Sequence, residues 1–204
     1  MKDIFAKVSY SFLLKILSAV LAYPTAILLA RQLGADGYGV YGFVIALIGL
    51  MIYPTVLGQD QLIVRQSALV KEHFFGKLKF PLVAFSLRFI WLISITVAST
   101  VTLVIIAYPN IFGVFTNSIF VGIWILPFFS IRRIYTSLLR VLEKPVLAIF
   151  PESLVQPVVL FLLVLASLYL TQGKIEPQKA IFFQLIAYIS SLVDRKSTRL
   201  NSSH

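Results

Sequence analysis

Eight side chains carry the groups from which a polar site inside an apolar protein would be built. Lys15, Arg31, Arg65, Arg133 and Arg140 are cations, while Asp60, Glu152 and Gln156 are acceptors or ion-coupling groups. Arginine's planar fork makes bidentate bonds to phosphate, so arginines suit a phosphate better than lysines do. Arg133 and Arg140 are seven residues apart, two helical turns, and project from nearly the same face of a helix. The chemistry on offer is electrostatic attraction without bond cleavage.

Bond-breaking chemistry has little to work with. The acids Asp3, Asp36, Asp60, Glu72, Glu143, Glu152, Glu176 and Asp194 are scattered singly, whereas a divalent metal needs clustered carboxylates. His73 and His204 lie far apart in polar segments, and the absence of cysteine removes thiolate ligands and disulfides. No catalytic residue, metal or other cofactor is therefore expected. A membrane-embedded glycosyl or phosphoalcohol transferase is the alternative from another functional class, and it would need the clustered carboxylates this sequence lacks.

The elements that must position these groups are membrane helices. With 59% hydrophobic and 13% charged residues and a mean hydropathy of +0.92, the chain carries more apolar surface than a water-soluble domain hides. The net charge of +10 does not point to nucleic acid, because the basic residues stand between apolar runs. There they fix topology and meet anionic head groups.

The periodicity predicts an all-α, polytopic bundle of about six spans, near 12–30, 40–57 with an extension to 70, 81–107, 111–131, 146–170 and 180–193. The first run is longer than a signal-peptide core and is followed by further spans, so it is expected to be retained. Gly34-Ala35-Asp36-Gly37-Tyr38-Gly39 predicts a tight antiparallel hairpin between the first two. In it, Gly34 closes one helix in a left-handed conformation, Asp36 caps the next, and Gly37 and Gly39 allow close approach. Pro54 and Gly58 are expected to bend the long second element. Lys71 to Lys79 reads as a polar loop. The sixth run, at 14 residues, is too short to cross comfortably, and the tail 194–204 changes composition completely; it reads as non-native sequence after a truncated helix.

Several charged positions have two readings. Lys15 either snorkels to the head groups or faces an internal cavity. Asp60 and Arg65 are either cavity groups or polar residues where a helix leaves the membrane. Arg133 and Arg140 are topology anchors or anion ligands. If the fifth helix begins at Pro145, Glu152 lies about two turns into the membrane, where an ionisable group is costly. If it begins at Pro151, Glu152 is a first-turn acid favoured by the helix dipole. Basic residues count ten against three in favour of a cytoplasmic N-terminus, with Lys2, Lys7, Arg65, Arg132 and Arg140 on the richer side.

The segment Leu29-Ala30-Arg31-Gln32-Leu33-Gly34-Ala35-Asp36-Gly37-Tyr38-Gly39-Val40-Tyr41 resembles the first helical hairpin of polysaccharide biosynthesis proteins. These are the lipid-linked oligosaccharide (O-antigen-type) flippases of the multidrug/oligosaccharidyl-lipid/polysaccharide exporter superfamily. Leu57-Gly58 through Arg65 resembles their long second helix, and Phe150-Pro151-Glu152-Ser153-Leu154-Val155-Gln156-Pro157 their proline-flanked fifth-helix segment. The resemblance implies an N-terminal six-helix lobe of a two-lobed exporter in a bacterial or archaeal cytoplasmic membrane. It also implies alternating access, a polyprenyl-pyrophosphate-linked oligosaccharide as cargo, and a C-terminal lobe as partner. A multidrug or metabolite exporter of the same superfamily is the alternative within transport.

Overall fold

The computed structural model describes the backbone of residues 2–69, 72–141, 145–171 and 175–201, and the side chains of 9–65, 83–141, 146–170 and 175–193. It is an all-α protein, with no strand among the described residues. The elements are α1 (Lys2–Val56), α2 (Gln59–Leu69), α3 (Glu72–Ala107), a 3₁₀ turn (Gly113–Phe115), α4 (Thr116–Gly122) and α5 (Ile125–Val141). Then come α6 (Pro145–Phe150), a π-helical segment (Pro151–Val155), α7 (Gln156–Thr171) and α8 (Pro177–Asn201).

Among the described residues three helices are long and apolar enough to cross a membrane: Ser9–Val56, Val83–Ala107 and Val146–Leu170. A fourth is reached if Gly113–Gly122 and Ile125–Val141, bent by 45°, form one broken span. The expected six are thus not all present as spans by length and composition. The run 111–131 is not one straight helix but this bent pair. The run 180–193 is a stretch within α8, whose polar continuation to Asn201 lowers its average.

α1 is two helices in one. Gly34 holds φ 71° and ψ 179°, a conformation essentially confined to glycine, and helix resumes at Ala35 with no intervening loop. The expected left-handed cap is therefore an extended break with positive φ. Each arm still suffices, at about 1.5 Å per residue, to cross roughly 30 Å of hydrocarbon.

The arms run in opposite directions. Leu29 joins the cluster of Val164, and Gln32 reaches Ser167, so the first arm parallels α7. Gly37 lies against Pro177 and Tyr41 bonds Gln184, so the second parallels α8. α7 and α8 are themselves antiparallel, since Gln156 and Tyr188 both approach Arg132 at the end away from their connection. A Cβ at Gly37 would come within 3.1 Å of the Leu33 Cβ and 3.4 Å of the Pro177 Cγ, whereas one at Gly39 would meet nothing within 4 Å. Of the two glycines, only Gly37 serves close approach.

Further departures come at the polar end. Pro54 stays inside α1, and the helix runs on to Val56. It breaks at Leu57 (φ 45°) and Gly58 (φ 72°), two successive left-handed residues, before α2 begins. From Glu72 the expected loop 71–79 is the start of α3. The fifth helix begins at Pro145, so Glu152 lies two turns inside it.

The core is built from rows of one helix face. Val44, Ile48, Ile52 and Val56, each four residues apart, pack with Ile90 and Ala98 of α3, Ile119 of α4, Leu126 and Ile134 of α5 and Ile181 of α8. Close approach at the centre depends on Gly122, where a Cβ would sit 2.6 Å from the Val44 Cγ1. Outside, Phe12, Leu13, Tyr23, Leu50, Leu92, Leu103 and Ile106 are exposed, an apolar exterior suited to hydrocarbon rather than water.

Candidate functional site

Charge gathers where α5 meets the end of α1, α2, the π-helical segment and α8. Two neighbouring arginines of α5 point apart. Arg132 is only 4% exposed. Its guanidinium lies between two rings, 4.7 Å from the centroid of Phe129 and 4.6 Å from that of Tyr188, and it donates from Nη1 to Gln156 Oε1. The rings themselves are 5.1 Å apart and tilted at 43°. Burying an arginine is costly unless partners replace its water, and here the π faces and the amide do so.

The backbone of the fifth helix explains how Gln156 reaches that point. Pro157 has no N–H to give the Ser153 carbonyl, and its ring crowds that oxygen. The wider π turn over Pro151–Val155 accommodates the mismatch and sets the register in which Gln156 begins α7 toward α5.

Arg133 turns the other way. Its Nε donates to Asp60 Oδ2 at 2.9 Å, with the two side chains 37% and 14% exposed, and its guanidinium lies 5.3 Å from the Tyr53 centroid. This is the one ion pair among the described residues. The left-handed pair Leu57–Gly58 puts Asp60 in the first turn of α2, where a carboxylate is favoured by the helix dipole; its Oδ1 also accepts the Gln61 backbone N–H at 3.0 Å. Close by, Ser86 Oγ donates to Gln59 Oε1 at 3.0 Å, and the Thr55 and Ser130 hydroxyls lie 3.2 Å apart. α1, α2, α3 and α5 are thus joined by polar contacts at this end.

Of the eight residues singled out from sequence, the structure unites Asp60 with Arg133 and turns Gln156 toward Arg132. It does not bring the others to them. Lys15 and Arg31 on α1, Arg65 on α2, Arg140 on α5 and Glu152 in the π segment all have exposed side chains. Arg140 does share the less buried side of α5 with Arg133, as the seven-residue spacing predicts. Of the five cations, Lys15, Arg31, Arg65 and Arg140 are exposed and Arg133 is half-buried. Arg132 was missed because neighbouring arginines look alike in sequence. Its only signal is membership of the row Phe129, Arg132, Thr136, spaced by three and four residues on a buried face.

A second polar group, neutral throughout, lies beside the Gly34 break. Buried Gln32 accepts from Ser167 Oγ at 3.4 Å and donates to the Val164 carbonyl at 3.5 Å, and its own carbonyl accepts the Ile175 N–H at 3.2 Å. Tyr41 donates to Gln184 at 3.3 Å. No group of three or more His, Cys, Asp or Glu among the described residues is placed to hold a metal ion.

Fold and site together define a helical bundle of membrane type with a buried arginine at one end. No protein-family model, curated protein or solved structure matches the chain.

Proposed function

We propose that this chain forms one lobe of a membrane transporter that moves a polyprenyl-pyrophosphate-linked oligosaccharide across the cytoplasmic membrane for cell-surface polysaccharide synthesis. The reading rests on the resemblance of residues 29–41, 57–65 and 150–157 to lipid-linked oligosaccharide flippases. One structural observation carries it further: Arg132, buried between Phe129 and Tyr188, is held by Gln156 of the proline-flanked segment. An arginine kept inside an apolar bundle is costly, and buried ionisable groups in membrane proteins mark transport paths.

In this arrangement the guanidinium is closed off by aromatic rings. Sliding α8 away from α5 would uncover a planar donor matched to a pyrophosphate, and Arg133, released from Asp60, would supply a second. Two states that differ in whether these arginines contact the protein or the cargo are what alternating access requires. Cytoplasmic placement of the N-terminus follows from the distribution of basic residues.

Binding of farnesyl pyrophosphate, a short polyprenyl pyrophosphate, to the purified chain in detergent tests the proposal. Wild type is expected to bind it in preference to farnesol, and Arg132→Met to bind at least about tenfold more weakly, the loss of one charge-assisted contact of about 1.4 kcal/mol or more. Equal binding of pyrophosphate and alcohol, or an unchanged Arg132→Met, overturns it.

A further inference from the structure

Between α3 and α5 an apolar groove of about 420 Å³ lies open, lined by Leu87, Arg88, Trp91, Leu92, Ile131 and Tyr135. Its walls are almost wholly hydrocarbon and aromatic. Arg88 is the exception. It lies inside the apolar stretch Val83–Ala107, on the exposed side of α3, and it forms no ion pair among the described residues.

Three properties of this place combine. The groove faces outward, so in a bilayer it faces lipid. Arg88 is about one and a half helical turns from the start of the span, within reach of the head-group layer if its side chain extends toward it. Trp91 and Tyr135, one from each helix, are the amphipathic aromatics that settle at that same depth. A guanidinium with no ion pair among the described residues, at the mouth of an apolar groove, calls for an anion joined to a hydrocarbon chain.

We infer that the α3–α5 groove binds one anionic phospholipid, its phosphate on Arg88 between the polar edges of Trp91 and Tyr135, and one acyl chain along Leu87, Leu92 and Ile131. The inference does not depend on what the bundle transports. Zwitterionic lipids offer a phosphate too, but their own ammonium group competes for it, so a net anionic head group such as phosphatidylglycerol is the favoured occupant.

The sequence supplies its own reporter. The chain has two tryptophans, Trp91 in the groove and Trp124 in the bend between α4 and α5. In a Trp124→Phe background, Trp91 fluorescence reads lipid brominated on its acyl chains and mixed into phosphatidylcholine vesicles. Brominated phosphatidylglycerol is expected to quench Trp91 with about a fivefold preference over brominated phosphatidylcholine. Arg88→Gln is expected to abolish that preference, Arg88→Lys to keep most of it, and Arg140→Gln, at an exposed position about one and a half turns beyond Tyr135 and outside the groove's lining, to leave it intact. Leu92→Phe, which narrows the groove without altering charge, is expected to weaken quenching by both lipids. Equal quenching by the two lipids in wild type, or a preference that survives Arg88→Gln, overturns the site. So does a preference lost equally with Arg140→Gln, which would mark a diffuse basic surface. Far-ultraviolet circular dichroism identifies any variant that fails to fold, and Arg88→Lys then decides: loss of the preference in a folded Arg88→Lys protein also counts against the site.

Discussion

The two polar clusters of this bundle solve the same problem with different groups. Beside Gly34, Gln32, Ser167, Tyr41 and Gln184 bond one another and the backbone without any charge. Farther along the helices Arg132 and Arg133 bring two cations to the place where α5 meets α2 and α8, and on α8 the two clusters are one turn apart, at Gln184 and Tyr188. A neutral amide holds helices together at small cost because each of its atoms finds a partner nearby. A buried arginine contributes little net stability and is replaceable by an apolar residue of similar volume. The neutral cluster therefore serves the fold, and the charged one calls for another explanation.

The sharpest way to break this contrast is at Arg132. Arg132→Ala removes the stem as well as the charge, emptying the space between Phe129 and Tyr188, and is expected to destabilise the bundle by about 2 to 4 kcal/mol. Arg132→Met refills that space and is expected to recover most of the loss, while farnesyl pyrophosphate binding stays weak. Thermal unfolding in detergent reads the first effect and ligand titration the second. Should Arg132→Met unfold as readily as Arg132→Ala, the guanidinium is structural and the two clusters differ in composition alone.

Next in size is Gly122, which lies between the clusters. An alanine Cβ there would press on the Val44 Cγ1 at 2.6 Å and the Ile48 Cδ1 at 3.1 Å. Overpacking at so close a contact is expected to cost about 1 to 3 kcal/mol. Because α1, α4 and α8 meet at this point, Gly122→Ala should lower the unfolding temperature and leave the quenching preference at Trp91 unchanged. A variant as stable as wild type would show that α4 shifts freely against α1.

At the neutral cluster, Gln32→Leu keeps the volume but leaves the Ser167 hydroxyl with only its bond to the Val164 carbonyl, 2.7 Å away. The Ile175 N–H still has the Gln32 backbone carbonyl. A loss of about 1 kcal/mol is expected, measured by unfolding, with ligand binding untouched. A fall in farnesyl pyrophosphate binding in this variant would mean that the neutral cluster belongs to the site as well.

How far the sequence disclosed all this differs between the clusters for physical reasons. Hydrophobic runs announce helices, so the all-α class and the break between Leu33 and Ala35 were legible, while the start of the fifth helix stayed open between Pro145 and Pro151 until the fold placed it at Pro145. Glycines announce flexibility but not its form: Gly34 gave an extended break, Gly58 a full helix interruption together with Leu57, and Gly39 no close contact at all. The span count was less legible, because polarity at Glu72–Lys79 and beyond Val193 interrupts hydropathy without interrupting helix. Charge was read least well. Arg31, Arg65 and Arg140 share composition and context with Arg132 and Arg133, and only the packing of α5 against α2 and α8 decides which guanidinium turns inward. Asp60 was singled out as a polar group of the long second element, but its place in the first turn of α2 and its pairing with a residue 73 positions away required the fold.

The smallest effect expected is also the most discriminating for the charged cluster. Asp60→Asn keeps the shape and one acceptor of the Arg133 contact while removing the ionic part. With 37% of the arginine side chain exposed, solvent screens the pair, and the loss should stay below about 1 kcal/mol and shrink further as salt is raised. If α2 and α5 separate during transport, the same substitution releases Arg133 and should tighten farnesyl pyrophosphate binding by a few-fold even as stability falls slightly. Those opposite signs separate a pair that competes with the cargo from one that only holds two helices together, for which both quantities would fall or neither would move.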